Sequence, residues 1–175
     1  MKKITLFFTS LLFVFIVNAQ EKILSYYLGP VVSVPTSDFG QVAGMGFGGE
    51  FQVDYPFGKH IDGFAQGGFQ SFSVKNLNGH KYTAFSTPTF LLGSRYNFNK
   101  FSFGLGIGYN SYLSRYTEDG VSIDPQIGFK INNFNIIAHY NVTYVSGAAF
   151  TSSHFNFFGL KLFYRLSDIF ENPKF

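Results

Sequence analysis

The chain of 175 residues contains no cysteine and no tryptophan. The first absence excludes a disulfide framework, a thiolate metal site and a lipid-modified cysteine. Charge is also scarce. Charged residues make up 13% of the sequence, about half the usual share of a soluble domain. Long apolar runs are missing after residue 19, where no continuous 18-residue apolar stretch occurs. A transmembrane helix needs about 20 such residues, so none is expected. Helical periodicity is absent from the same region.

What the chain has in excess is aromatic carbon. Phe and Tyr alone account for the 21% aromatic content, with 25 Phe and 11 Tyr. The N-terminus MKKITLFFTSLLFVFIVNAQ reads as an export signal. Lys2 and Lys3 form a basic start, Ile4 to Val17 an apolar run, and Val17-Asn18-Ala19 a cleavage site after Ala19. The run is about 14 residues, too short to span a bilayer. Cleavage leaves 20–175, one domain in length, with 11 basic against 10 acidic residues. The basicity of the full chain is therefore mostly a targeting feature. It gives no case for nucleic-acid binding.

An exported, charge-poor, aromatic chain without helical spans has one other membrane-compatible form. That form is a closed β-barrel, in which closure pairs every backbone N–H and C=O. Period-2 alternation supports it in eight segments, at about 23–33, 44–55, 61–73, 84–97, 101–113, 123–131, 134–144 and 156–166. In 134–144, Phe134, Ile136, Ala138, Tyr140, Val142 and Tyr144 alternate with Asn135, Ile137, His139, Asn141 and Thr143. Each segment runs about 10 to 13 residues, against 9–11 for a tilted membrane strand and 5–6 for a soluble one. Three connections are tight: 56–60, 97–100 and 132–133. Asn132-Asn133 suits a two-residue hairpin that needs positive φ. Four are longer: about 34–43, 74–83, 114–122 and 146–154. Short turns on one side and longer loops on the other is the outer-membrane layout.

Residues 44–49, GMGFGG, fit the glycine pattern of a dinucleotide cradle. That cradle must open a helix. Here Glu50-Phe51-Gln52-Val53-Asp54-Tyr55 follows, a strand. The glycines instead line an inner face, together with Gly104, Gly106 and Gly108, and leave room for long side chains. The same alternation puts Glu50, Asp54, Asp62, Arg95, Asp124, Lys130, Lys161 and Arg165 inside, four of each sign. Buried charges must be paired. An internal ion-pair network is expected, with Glu50 near Arg95 or Lys161 at its core. Tyr27, Phe64, Phe72, Phe157 and Phe163 fall on the inner face too, which argues for a plugged interior rather than a wide pore. Tyr26, Tyr55, Tyr96, Tyr109, Tyr112, Tyr140, Tyr144 and Tyr164 lie near strand ends and fit interfacial girdles.

Chemistry-bearing candidates are few. Of the histidines, His60 falls in a turn, His80 and His154 in loops, and His139 inside. No pair has metal-ligand spacing, and no metal, cofactor or catalytic residue is expected. Ser152, Ser153 and His154, with Glu118 or Asp119, could form a hydrolytic group at the outer rim. Adjacent Ser and His in a loop is more often accidental.

Three stretches carry a resemblance: LGPVVSVPTSDFG (28–40), GGEFQVDYPFG (48–58) and GLKLFYRL (159–166). On these the chain resembles the small outer-membrane β-barrel domain proteins of Gram-negative bacteria. The resemblance implies that 159–166 is the assembly signal read by the barrel-insertion machinery, with Gly159, Leu162 and Tyr164 at its glycine, hydrophobic and aromatic positions. Phe157 stands where that signal usually has a polar residue, and Ser167 to Phe175 follow it.

The expected protein is all-β, an eight-stranded antiparallel up-and-down transmembrane barrel over 20–166. A signal peptide (1–19) precedes it and a periplasmic tail (167–175) follows. It is expected in the outer membrane, among its lipids, with a structural or surface-interaction role through four loops; no extracellular partner is identified. Three alternatives stay open: a lipid-A-modifying enzyme, a narrow small-solute conduit, and a soluble lipocalin-like binder with its faces reversed.

Overall fold

The computed structural model describes residues 24–75, 84–113, 117–145 and 154–166, apart from the side chains of 85, 117 and 118. The expected signal peptide, the C-terminal tail, His80 and most of the second and fourth loops lie outside the described residues.

Eight strands form a closed barrel in sequence order, β1-β2-β3-β4-β5-β6-β7-β8. They are β1 (Ser25–Thr36), β2 (Ala43–Pro56), β3 (Ile61–Val74), β4 (Phe85–Phe98), β5 (Phe101–Leu113), β6 (Thr117–Ile131), β7 (Phe134–Val145) and β8 (His154–Arg165). Every pairing is antiparallel, and β8 returns to β1 from Tyr27↔Arg165 to Thr36↔Asn156. Closure leaves no sheet edge to satisfy in lipid. The strands run 12 to 15 residues, long enough to cross a bilayer at a tilt.

The structure carries β1 on to Thr36, into the expected first loop, and extends β6 furthest beyond the alternation. β6 begins at Thr117, not near 123, and pairs Leu113↔Thr117 with the end of β5. The third loop is correspondingly short. Glu118-Asp119-Gly120 has the composition of a turn, but cross-strand pairing overrides that local preference.

Turn chemistry fixes the other end. Asn132 (φ 50°) and Asn99 (φ 54°) take the left-handed conformation that asparagine tolerates better than most residues. Pro35 and Pro56 fall at strand ends, while Pro30, Pro88 and Pro125 sit inside strands, where a missing N–H removes one ladder bond. Each of these three interrupts pairing on one side only. Residues 29–30 are skipped between β1 and β8, 87–88 between β4 and β5, and 124–125 between β6 and β7. Pro30, Pro88 and Pro125 stay paired on their other side, to Gly49, Phe69 and Leu105. The register is the same before and after each gap.

The two faces differ as the alternation requires. Outward positions such as Leu28, Phe47, Phe90, Leu92, Phe103, Leu105, Ile107, Ile127 and Leu160 are about half exposed. Inward positions are buried and mostly polar. A soluble ligand-binding barrel needs the opposite arrangement. Near the turn end the belt closes with ring pairs, Phe101 with Phe129 at 5.0 Å and Phe134 with Tyr164 at 5.2 Å. These suit the depth where membrane meets water.

Candidate functional site

The inward side chains form three levels. In the middle lies a charged network, reached by strands from opposite sides of the lumen. Lys161 on β8 places Nζ 2.9 Å from Glu50 Oε2 on β2 and 3.4 Å from Asp124 Oδ2 on β6. It also donates to Gln66 Oε1 at 3.2 Å. Asp124 Oδ1 lies 2.8 Å from His139 Nδ1 on the neighbouring strand β7. Arg95 sends Nη1 to Asp54 Oδ2 at 3.3 Å and Nη2 to Gln126 Oε1 at 3.0 Å. Its guanidinium stacks 4.8 Å from the ring centre of Phe64, a cation–π contact available to a planar, weakly hydrated cation.

Three glutamines join these pairs. Gln126 donates to Asp124 and to Gln66, Gln66 to Gln52, and Gln52 to Asp54. An amide both donates and accepts, so it can bridge charges of either sign. Glu50, Lys161, Asp124, Arg95 and Asp54 are all essentially inaccessible, and each has a counter-ion. That condition makes buried charge tolerable.

Toward the turns, the network gives way to a wetter rim. Asn97 donates to Asp62 at 2.6 Å and accepts from Lys130 at 3.0 Å, with Lys130 and Asp62 themselves 3.9 Å apart. Arg165 is half-buried at the same level, opposite Tyr27. Of the eight charges assigned inward, five therefore meet in one central network, two meet at the rim and Arg165 stands beside it. Glu50 pairs with Lys161; Arg95 turns to Asp54 instead.

Toward the loops the filling is aromatic. A single helical turn, α1 (Phe39–Val42), follows β1 in the first loop. It drops Phe39 into the barrel mouth, fully buried. The ring stacks on Phe155 at 4.8 Å and meets Phe72 and Tyr112 edge-on at 5.2 and 5.6 Å. Phe157 lies beneath, 5.4 Å from Phe72 and 5.8 Å from His139. Its inward surroundings are aromatic, which suits a phenylalanine at this position. The hairpin periodicity gave no sign of α1. Tyr112, expected in a girdle, faces inward and donates to Thr143 at 3.0 Å. Its even parity on β5, shared with inward Ser102 and Asn110, was the available signal.

The arrangement holds groups that elsewhere do chemistry. Ser33 and His139 both crowd the backbone of Gly159, and His139 is held by Asp124. Yet the Ser33 hydroxyl donates to Gln70 at 2.7 Å, and Ser33, His139 and Asp124 are all buried. At the outer rim, His154 is exposed and packs on Tyr144 at 4.9 Å. Ser152, Ser153 and the Glu118 side chain lie outside the described residues.

No protein-family model matches the sequence, and no curated protein matches it. Solved structures do. The chain is similar to Ail, an outer membrane protein of Yersinia pestis whose backbone structure was determined in a phospholipid bilayer nanodisc. Identity is 15%, covering 83% of this chain and 99% of that one, with a TM-score of 0.58. The fold is that of the eight-stranded outer-membrane barrels. Neisserial surface protein A is a second such neighbour, at 13% identity over 81% of this chain and 95% of that one, with a TM-score of 0.50. On this fold, Leu162 and Tyr164 of the closing strand face outward and Gly159 inward.

Proposed function

We propose that the protein is an integral outer-membrane protein with a packed, non-conducting interior. Its role is structural or surface-interactive, exercised through its loops. One observation carries the reading: the apolar side chains face out and the paired charges face in. Only a hydrocarbon surrounding makes that arrangement favourable. The ring cluster over the charged network supports a closed lumen, since a water-filled channel would leave those rings wet. The burial of Ser33, His139 and Asp124 supports a non-enzymatic role.

On this reading residues 1–19 are removed on export and 167–175 lie in the periplasm. The insertion machinery recognises β8 through Gly159, Leu162 and Tyr164, and membrane lipids surround the belt. The test is gel migration of the full chain from outer-membrane fractions, boiled and unboiled. A shift between the two, with the protein in the membrane fraction, is expected of a detergent-stable closed barrel. A protein in the soluble fraction without a shift would overturn the reading.

A further inference from the structure

The outer belt is bulky nearly everywhere, but one stretch of β3 is not. Its outward positions carry Gly63, Ala65 and Gly67 in succession. Cross-strand neighbours rise on both sides, Tyr55 and Val53 from β2 and Leu92 from β4. The result is an apolar groove of about 460 Å³. Phe57, from the turn after β2, folds back over Gly63 and closes the turn end. Nothing approaches the open face of Gly67. The groove is lined at Gly63 and Ala65; continued to Gly67, the small-residue stretch runs about 13 Å at about 3.3 Å per residue, close to the ~15 Å of one hydrocarbon leaflet.

The groove is continuous with the lipid-facing belt, so its occupant comes from the bilayer or from another barrel in it. Charge selects between these. The two turns at its foot expose Lys59 and Lys100. They adjoin, since Asn97 N donates to His60 O at 2.7 Å. Among the described residues, the carboxylates at this end point inward: Asp54 is held by Arg95, and Asp62 by Asn97 and Lys130. Among the described residues the surface beside the groove is therefore cationic, which suits a lipid phosphate and would repel the same turns of a second copy.

We propose that this trough seats one acyl chain of an anionic phospholipid in the periplasmic leaflet, with Lys59 and Lys100 meeting its phosphate. The proposal rests on the membrane reading above. The full chain is reconstituted in phosphatidylethanolamine vesicles containing phosphatidylglycerol with a photoactivatable diazirine midway along one chain, and adducts are mapped by mass spectrometry. Adducts on Val53 and Leu92 are expected at least threefold above those on Phe103 and Ile127. Filling the trough with Ala65→Leu and Gly67→Leu should remove that excess and leave the other face unchanged; the gel shift verifies that the variant folds. Lys59→Gln with Lys100→Gln should lower it as well. Three results would overturn the proposal: uniform labelling around the barrel of the unaltered chain, an excess indifferent to the lysines, or an excess that survives filling the trough with Ala65→Leu and Gly67→Leu. Lipid adducts nowhere would instead refute the membrane reading itself.

Discussion

The mouth and the middle of the lumen are equally buried and held by opposite physics. At the mouth, Phe39, Phe72, Tyr112, Phe155 and Phe157 pack ring on ring. Three strands and the first loop contribute, and apart from the Tyr112 hydroxyl no polar atom has to be satisfied. In the middle, the charges of Glu50, Asp54, Arg95, Asp124 and Lys161 are tolerated only because each faces a counter-ion. Packing is forgiving: a ring can be exchanged for another apolar group of similar volume at modest cost. A charge network is not, because removing one member strands its partners without water.

This contrast can be broken at its strongest point first. Lys161→Met leaves Glu50 and Asp124 without their shared cation and should cost about 3–5 kcal/mol, read from denaturant unfolding of the barrel in lipid vesicles. Adding Glu50→Gln and Asp124→Asn should restore much of that loss; a triple variant no better than the single one would show that packing dominated. Phe39→Ala should cost about 3 kcal/mol in the same assay, while Phe39→Leu stays under about 1.5. Tyr112→Phe sharpens the comparison within the mouth, since it deletes only the hydroxyl that donates to Thr143, about 1 kcal/mol. Lys130→Gln tests the rim. Its side chain keeps a third of its surface in water, so the effect should stay below about 1 kcal/mol. A loss as large as that of Lys161→Met would place the rim inside the network.

The strands were legible because their signal is local. A residue's parity on a strand decides its face, and eight runs of alternation were enough to assign Arg95, Lys161 and the inward rings. Pairing was not legible to the same degree. Lys161 reaches Glu50 across β1, and which side chains meet across a lumen depends on strand tilt and register, set jointly by eight strands. Hence Arg95 turned to Asp54, a pair that parity alone could not choose. Gln52, Gln66 and Gln126 were visible as inward polar residues, but their bridging follows only from where the charges stand. Phe39 was hidden for a different reason. Ser37-Asp38-Phe39-Gly40 reads as an ordinary loop, and only the apolar mouth gives its ring a reason to turn inward. Tyr112 was misread because nearness to a strand end outweighed parity.

The central claim is that apolar side chains face lipid and polar ones face each other. The absence of tryptophan allows a direct test with single-tryptophan variants in vesicles of brominated phospholipid, whose bromines quench indole on contact. Phe103→Trp on the outer face should be strongly quenched, and Phe163→Trp, on the inner face, should keep its emission. Quenching of Phe163→Trp with emission retained by Phe103→Trp would reverse the faces and contradict the account.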